Sequence, residues 1–208
     1  MPETPCQDVV EEDVFARAHA GNADAIAKLL LKYGPAIRAR LAINPRWRSS
    51  LDVEDVMQVT YLEAFLRIRQ LRTLDADTFT AWLSRVAENN LRDAIKELER
   101  DKRPDPRQRV RSEDSFAALA DLISSSTYTG SRYASREEMK HILEDAISKL
   151  PAVYQRVVRM CDLDGKSPQE AAAVIGRSVG AVKMLRSRAH DRLRELLGSA
   201  SEFAIDVA

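Results

Sequence analysis

The stretch Ser167–Leu197 constrains this chain more than any other. It reads SPQEAAAVIGRSVGAVKMLRSRAHDRLRELL, which predicts a short helix, a tight turn at Gly176 and a longer second helix. Ser167 with Glu170 three residues later forms a capping box, and Pro168 suits the first helical position. Ser178 can cap the second helix just past the turn. Two helices joined around a glycine make a helix-turn-helix, whose second helix fits a DNA major groove.

The charge on the second helix points the same way. At about 100° per residue, Val179, Val182, Leu185, Ala189, Leu193 and Leu196 share an apolar arc, with Lys183, Met184, Ser187, Arg188 and Arg194 on the other side. Gly176–Arg194 holds six basic residues and one acid, net +5. Such a helix suits phosphate contacts plus a few base-edge contacts. A solvated amphipathic helix would show the same arc. The capped helix and glycine turn before it favour DNA.

The whole chain is 208 residues with 32 basic and 32 acidic side chains, so a neutral total hides local basic patches. Residues 81–111 carry nine basic and six acidic groups. Local patches on a neutral chain suit selective nucleic-acid contact rather than a blanket polycation. Few aromatics and abundant Ala, Leu, Arg and Glu favour an all-α fold. Cys6 and Cys161 make neither a metal-ligand spacing nor a disulfide framework, and Cys161 reads as a buried small hydrophobe. His19, His141 and His190 are scattered and read as surface or core residues. There is no glycine-rich phosphate loop and no nucleophile motif, which argues against an enzyme, a cofactor or a resident metal. No signal-like start and no apolar run near the roughly 20 residues that span a bilayer predict a cytoplasmic, reducing setting.

Along the chain, helices are predicted from Glu11 to about Gly21, from Asp24 to Tyr33, with a kink at Gly34-Pro35 before Ile37–Ile43, and from Val53 to Leu71 after the cap Asp52. The third has Val53, Val56, Met57, Thr60, Tyr61, Ala64, Phe65 and Ile68 as its inward set and Glu54, Asp55, Gln58 and Glu63 outside. Leu74–Thr78 reads as a short linker before a helix from Phe79 to Arg100, with Trp82, Leu83, Val86, Leu91, Ile95 and Leu98 inward. Residues 104–135, with two prolines and a Ser/Thr/Gly run, read as a flexible linker that cannot repay its ordering entropy, save for a short helix around Ser115–Ile123. Helices at Arg136–Lys149 and from Leu150-Pro151 to Asp162 precede the helix-turn-helix. The expected architecture is two small helical domains, 11–103 and 136–197, joined by that linker.

Three segments in this order resemble bacterial sigma factors of the extracytoplasmic-function type: DVEDVMQVTYLEAF at Asp52–Phe65, FTAWLSRVAENNLRDAIK at Phe79–Lys96, and the helix-turn-helix with its lead-in at Leu150–Leu196. The resemblance implies a protein that is not an enzyme, binds core RNA polymerase, recognises promoter DNA and helps open it. It implies that residues 11–103 are region 2 and residues 136–197 region 4. On the first segment, Asp55, Gln58 and Leu62 match positions that grip the polymerase. On the second, Asn89 matches the pocket for a flipped minus-ten base, with Arg85, Arg92 and Lys96 beside it and Asp75–Thr78 as the loop shaping the pocket. Trp82 belongs more naturally to the core, and Lys96, Arg100, Lys102 and Arg103 extend a strip suited to phosphates.

In the third segment, Lys183, Met184, Ser187 and Arg188 match the minus-thirty-five reader, with Pro168, Gln169, Arg177 and Ser178 near the backbone of the upstream element. An anti-sigma protein wedged between the domains is a common partner of such factors. Departures exist: Val59 stands where an acid is usual, and Arg186 falls inside the apolar arc, where it must snorkel or bind phosphate. A helix-turn-helix regulator with a helical sensing or dimerising domain explains the rear half equally well, but not the front.

Overall fold

The computed structural model describes the backbone of residues 6–71, 73, 75–100, 115–123 and 136–203, and these residues form two compact units, 1–96 and 97–208. Among them there are helices and turns but no strand. Most of the expected linker, together with Lys102 and Arg103, lies outside the described residues.

The first unit contains α1 (Cys6–His19), α2 (Ala23–Arg40), α3 (Val53–Arg67) and the start of α4 (Ala76–Arg100). Gly21, at φ +89°, turns the chain after α1, and Asn22 caps α2 by accepting the Ala25 N–H at 2.9 Å. Asp52 caps α3 in the same way through Asp55 N–H at 2.8 Å. The core gathers Phe15, Ile26, Leu29, Ile37, Met57, Ile68, Phe79 and Leu83. Phe15, Tyr33 and Phe79 form a ring cluster with centroids 5.7–6.2 Å apart, and Trp82 sits 6.0 Å from Phe79 as a half-buried edge of it.

Three expectations change here. The first helix begins at Cys6, not Glu11. Gly34-Pro35 does not divide the second, which runs unbroken to Arg40. A proline costs one backbone hydrogen bond there, but buried Ile26, Leu29, Leu30 and Ile37 lie on both sides of it and hold the helix by packing. The stretch Ala76–Thr78 is the first turn of α4 rather than a loop, because Asp75 accepts the Thr78 N–H at 2.8 Å and its hydroxyl at 2.9 Å. Those bonds to the charged form hold the Asp75 carboxyl below its ordinary range.

The second unit contains α5 (Ser115–Ile123), α6 (Arg136–Ser148), α7 (Ala152–Val158) continuing as a π turn (Arg159–Leu163), α8 (Pro168–Ile175) and α9 (Val179–Phe203). Helices α6, α7 and α8 all pack on α9. Leu143, Ile147, Tyr154, Val157, Ala171, Val182, Ala189 and Leu193 fill the core. Arg159 grips Glu144 with two bonds of 2.7 and 3.2 Å, joining the π turn to α6. The helix α5 packs against α6, the π turn and α9.

Candidate nucleic-acid and partner interfaces

The helix-turn-helix forms as its residues dictate. Ser167 N–H donates to Glu170 Oε2 at 2.7 Å while Ser167 Oγ accepts the Glu170 N–H at 3.2 Å, completing the capping box. Gly176, at φ +70°, closes α8 in the left-handed conformation, and Ser178 Oγ accepts the Ala181 N–H at 3.1 Å to start α9. Gln169, in the first turn of α8, and Arg177, directly after Gly176, are exposed, while Pro168, Ser178, Ser187 and Arg188 are half-buried. Arg188 pairs with Asp191 at 3.4 Å.

Two members of the expected reader are covered. Lys183 is 6 % and Met184 1 % exposed, and Ala181, Val182 and Leu185 beside them are buried as well. Five consecutive buried residues leave no open face on a helix of 3.6 residues per turn. Lys183 Nζ reaches the Glu97 carbonyl at 3.5 Å, and burial pulls its ammonium below the usual lysine range. The position of Arg186 is also settled. It neither snorkels nor stands ready for a phosphate, because it pairs with Asp162 at 2.5 Å. His190 is a core histidine against the same carboxylate, 2.9 Å away.

On α4, Arg85, Asn89, Arg92 and Lys96 are all exposed and fall within about 60° of one another around the helix. They form one stripe. Arg92 donates to Asn89 Oδ1 at 3.1 Å, so the two are already arranged together. The neighbouring Asn90 faces the other way: it is buried and donates to Thr60 Oγ1 at 3.1 Å, pinning α4 to α3.

On α3, Gln58 is exposed and Leu62 half-buried, but Asp55 is only 5 % exposed. Phe65, expected inward, is 40 % exposed. Projection explains this. Phe65 lies about 20° from Gln58 and 60° from Leu62 around the helix, outside the arc of Val56, Thr60 and Ala64. It extends the exposed face with an aromatic ring that the expected site lacked. Asp162 was also absent from the expected set. Its signal was indirect: two basic side chains one turn apart inside an apolar arc call for a buried acid.

The Sigma-70 region 2 family matches residues 30–101, and Sigma-70, region 4 matches residues 140–193. The RNA polymerase sigma factor CnrH of Cupriavidus metallidurans is 31 % identical over 195 residues, spanning 90 % of this chain and 94 % of its own length. This chain is an extracytoplasmic-function sigma factor. The ECF RNA polymerase sigma factor BldN of Streptomyces coelicolor is 28 % identical over 193 residues, covering 89 % of this chain and 65 % of that protein. Among solved structures, that of CnrH in complex with the cytosolic domain of CnrY is similar at 26 % identity, covering 91 % of this chain and 97 % of that one, with a TM-score of 0.32.

The sigma factor binds core RNA polymerase and directs promoter-specific transcription initiation. The family is not enzymatic in general. Among the described residues no helix is long and apolar enough to cross a membrane. The region 2 match accounts for the front half, which a sensing domain would leave unexplained.

Proposed function

We propose that residues 11–103 act as region 2 and residues 136–197 as region 4, with residues 104–135 connecting them and carrying α5, which packs on α6 and α9. In this reading Gln58, Leu62 and Phe65 meet the polymerase. Asp55 orders the start of α3, where its N–H is already held by Asp52. Arg85, Asn89, Arg92 and Lys96 engage the minus-ten element, with Asn89 against an unstacked base and the cations on phosphates. The observation that carries this is their shared exposed stripe. Unstacking a base costs a few kcal/mol, which pocket contacts and stacking offset.

At the upstream element Gln169, Arg177, Ser187 and Arg188 make the first contacts, with Pro168 and Ser178 shaping the approach of α8 and α9. Lys183 and Met184 join only when the covering around them opens. Polymerase holds the two regions at one separation, so two weak contacts act as one through effective concentration. The chain performs no catalysis of its own and works in the cytoplasm, where the polymerase is. An anti-sigma protein is its regulator in this reading. Run-off transcription with core polymerase and a promoter library tests it. Sequence-selective initiation that depends on both promoter elements is the expected result, and initiation indifferent to either would refute it.

A further inference from the structure

Arg186 and His190 stand one turn apart on α9 and converge on one carboxylate. Arg186 donates from Nε and a terminal guanidinium nitrogen to Asp162 Oδ1 at 2.8 and 2.5 Å, and His190 Nε2 lies 2.9 Å from Asp162 Oδ2. The Asp162 side chain is 3 % exposed, so both of its oxygens are used inside the protein rather than in solvent. A π turn delivers it. The Asp164 N–H bonds to the Arg159 carbonyl five residues back at 2.8 Å, and the wider turn sets Asp162 facing α9. No apolar packing on α9 has such directionality. Hydrophobic contacts tolerate a small rotation or slide, whereas a carboxylate bonded through both oxygens to two side chains does not.

We propose that Asp162 is the positioning residue of the DNA-reading helix. It clamps α9 at Arg186 and His190, which bracket Ser187 and Arg188 in the chain. Arg188 projects about 160° away from each of the two clamped residues, so the clamp grips the side of the helix opposite Arg188. Fixing the rotation of α9 fixes where the Arg188 guanidinium meets a base edge. A misplaced bidentate donor loses discrimination before it loses attraction to phosphate. The inference rests on the reading of α9 as the upstream-element reader.

The test uses full-length protein assembled with core polymerase, transcribing templates that share a downstream element and differ by single bases upstream. Two variants are compared: Asp162→Asn, and the triple replacement Asp162→Leu, Arg186→Leu, His190→Leu, which substitutes apolar packing for the buried network. Replacing a whole buried ionic network by apolar side chains commonly keeps stability. In both variants matched-over-mismatched selectivity should fall on the order of tenfold, while output from a template lacking the upstream element stays unchanged. Recovery of full selectivity in the triple variant would overturn the proposal, because the network would then be only a source of stability. Equal loss on every template would overturn it as well. If the wild-type holoenzyme showed no upstream preference at all, the underlying reading of α9 would fail, a result distinct from the other two.

Discussion

Gly34 sets how closely α2 approaches α3, and its replacement puts two opposing effects on one residue. It sits buried inside α2 with Tyr61 of α3 lying over it. In a helix interior alanine is favoured over glycine by about 0.5–1 kcal/mol. At this site a Cβ would fall inside the Tyr61 hydroxyl, 2.9 Å from Cζ and 3.1 Å from Cε1. Overpacking of that kind costs about 1–3 kcal/mol. The clash wins, and Gly34→Ala should destabilise the first unit by roughly 1 kcal/mol net.

The sign is checked by a double-mutant cycle with Tyr61→Phe, which removes the nearest atom. In that background the cost of Gly34→Ala should shrink without vanishing, because Cζ and Cε1 of the ring stay 2.9 and 3.1 Å from the new Cβ, giving a coupling of roughly 0.5 kcal/mol or more. The full chain can be used, since its two tryptophans, Trp47 and Trp82, both lie in the first unit and their fluorescence reports on that unit during denaturant unfolding. The same cost in both backgrounds, or a gain in stability from Gly34→Ala alone, would refute the reasoning by showing that the Tyr61 ring swings aside freely. Because α3 carries the Gln58–Leu62–Phe65 face, a shift of α2 against it should also weaken binding to core polymerase in the same rank order.

Phe65→Ala should lower affinity for core polymerase by at least several-fold while moving the unfolding midpoint little, because much of the ring is already in solvent; a pull-down or fluorescence titration with core enzyme decides, and unchanged affinity would remove Phe65 from the interface. Arg188→Ala should relax base preference at one upstream position, whereas Lys96→Ala should weaken binding evenly across templates and flatten its salt dependence; equal uniform losses for both would cancel that division of labour. Burial alone would push the Asp162 carboxyl up, but His190 and Arg186 hold it below its ordinary value. A carboxyl lowered in the folded state contributes stability that is present above the unfolded pKa near 3.9 and is lost as pH falls through the folded one. Acid unfolding of the second unit should therefore be shallower below about pH 4 in Asp162→Asn than in wild type, and parallel curves would show that the network carries no linked proton.

The residues that announced the fold were those whose physics is local. Ser167, Glu170, Gly176 and Ser178 each act within a few positions, and the turn they predict forms at the predicted place. The short helix Ser115–Ile123 and the all-helical class were legible for the same reason. What periodicity misjudged was decided by neighbours distant in sequence. Pro35 stays inside a helix because packing on either side outweighs one lost bond. Phe65 faces outward because the inward arc of α3 is already filled by Val56, Val59, Thr60 and Ala64. Lys183 and Met184 carry the chemistry of contact residues, yet burial depends on which other helices arrive. Arg186 shows the limit most clearly. On its own helix it is a charge in an apolar arc, an apparent defect. Twenty-four positions earlier in the chain stands the carboxylate that resolves it. A charge that breaks an amphipathic pattern is thus itself a prediction: it either snorkels to solvent or meets a buried partner of opposite sign, and here the element that bears the partner is fixed in register against the helix it interrupts.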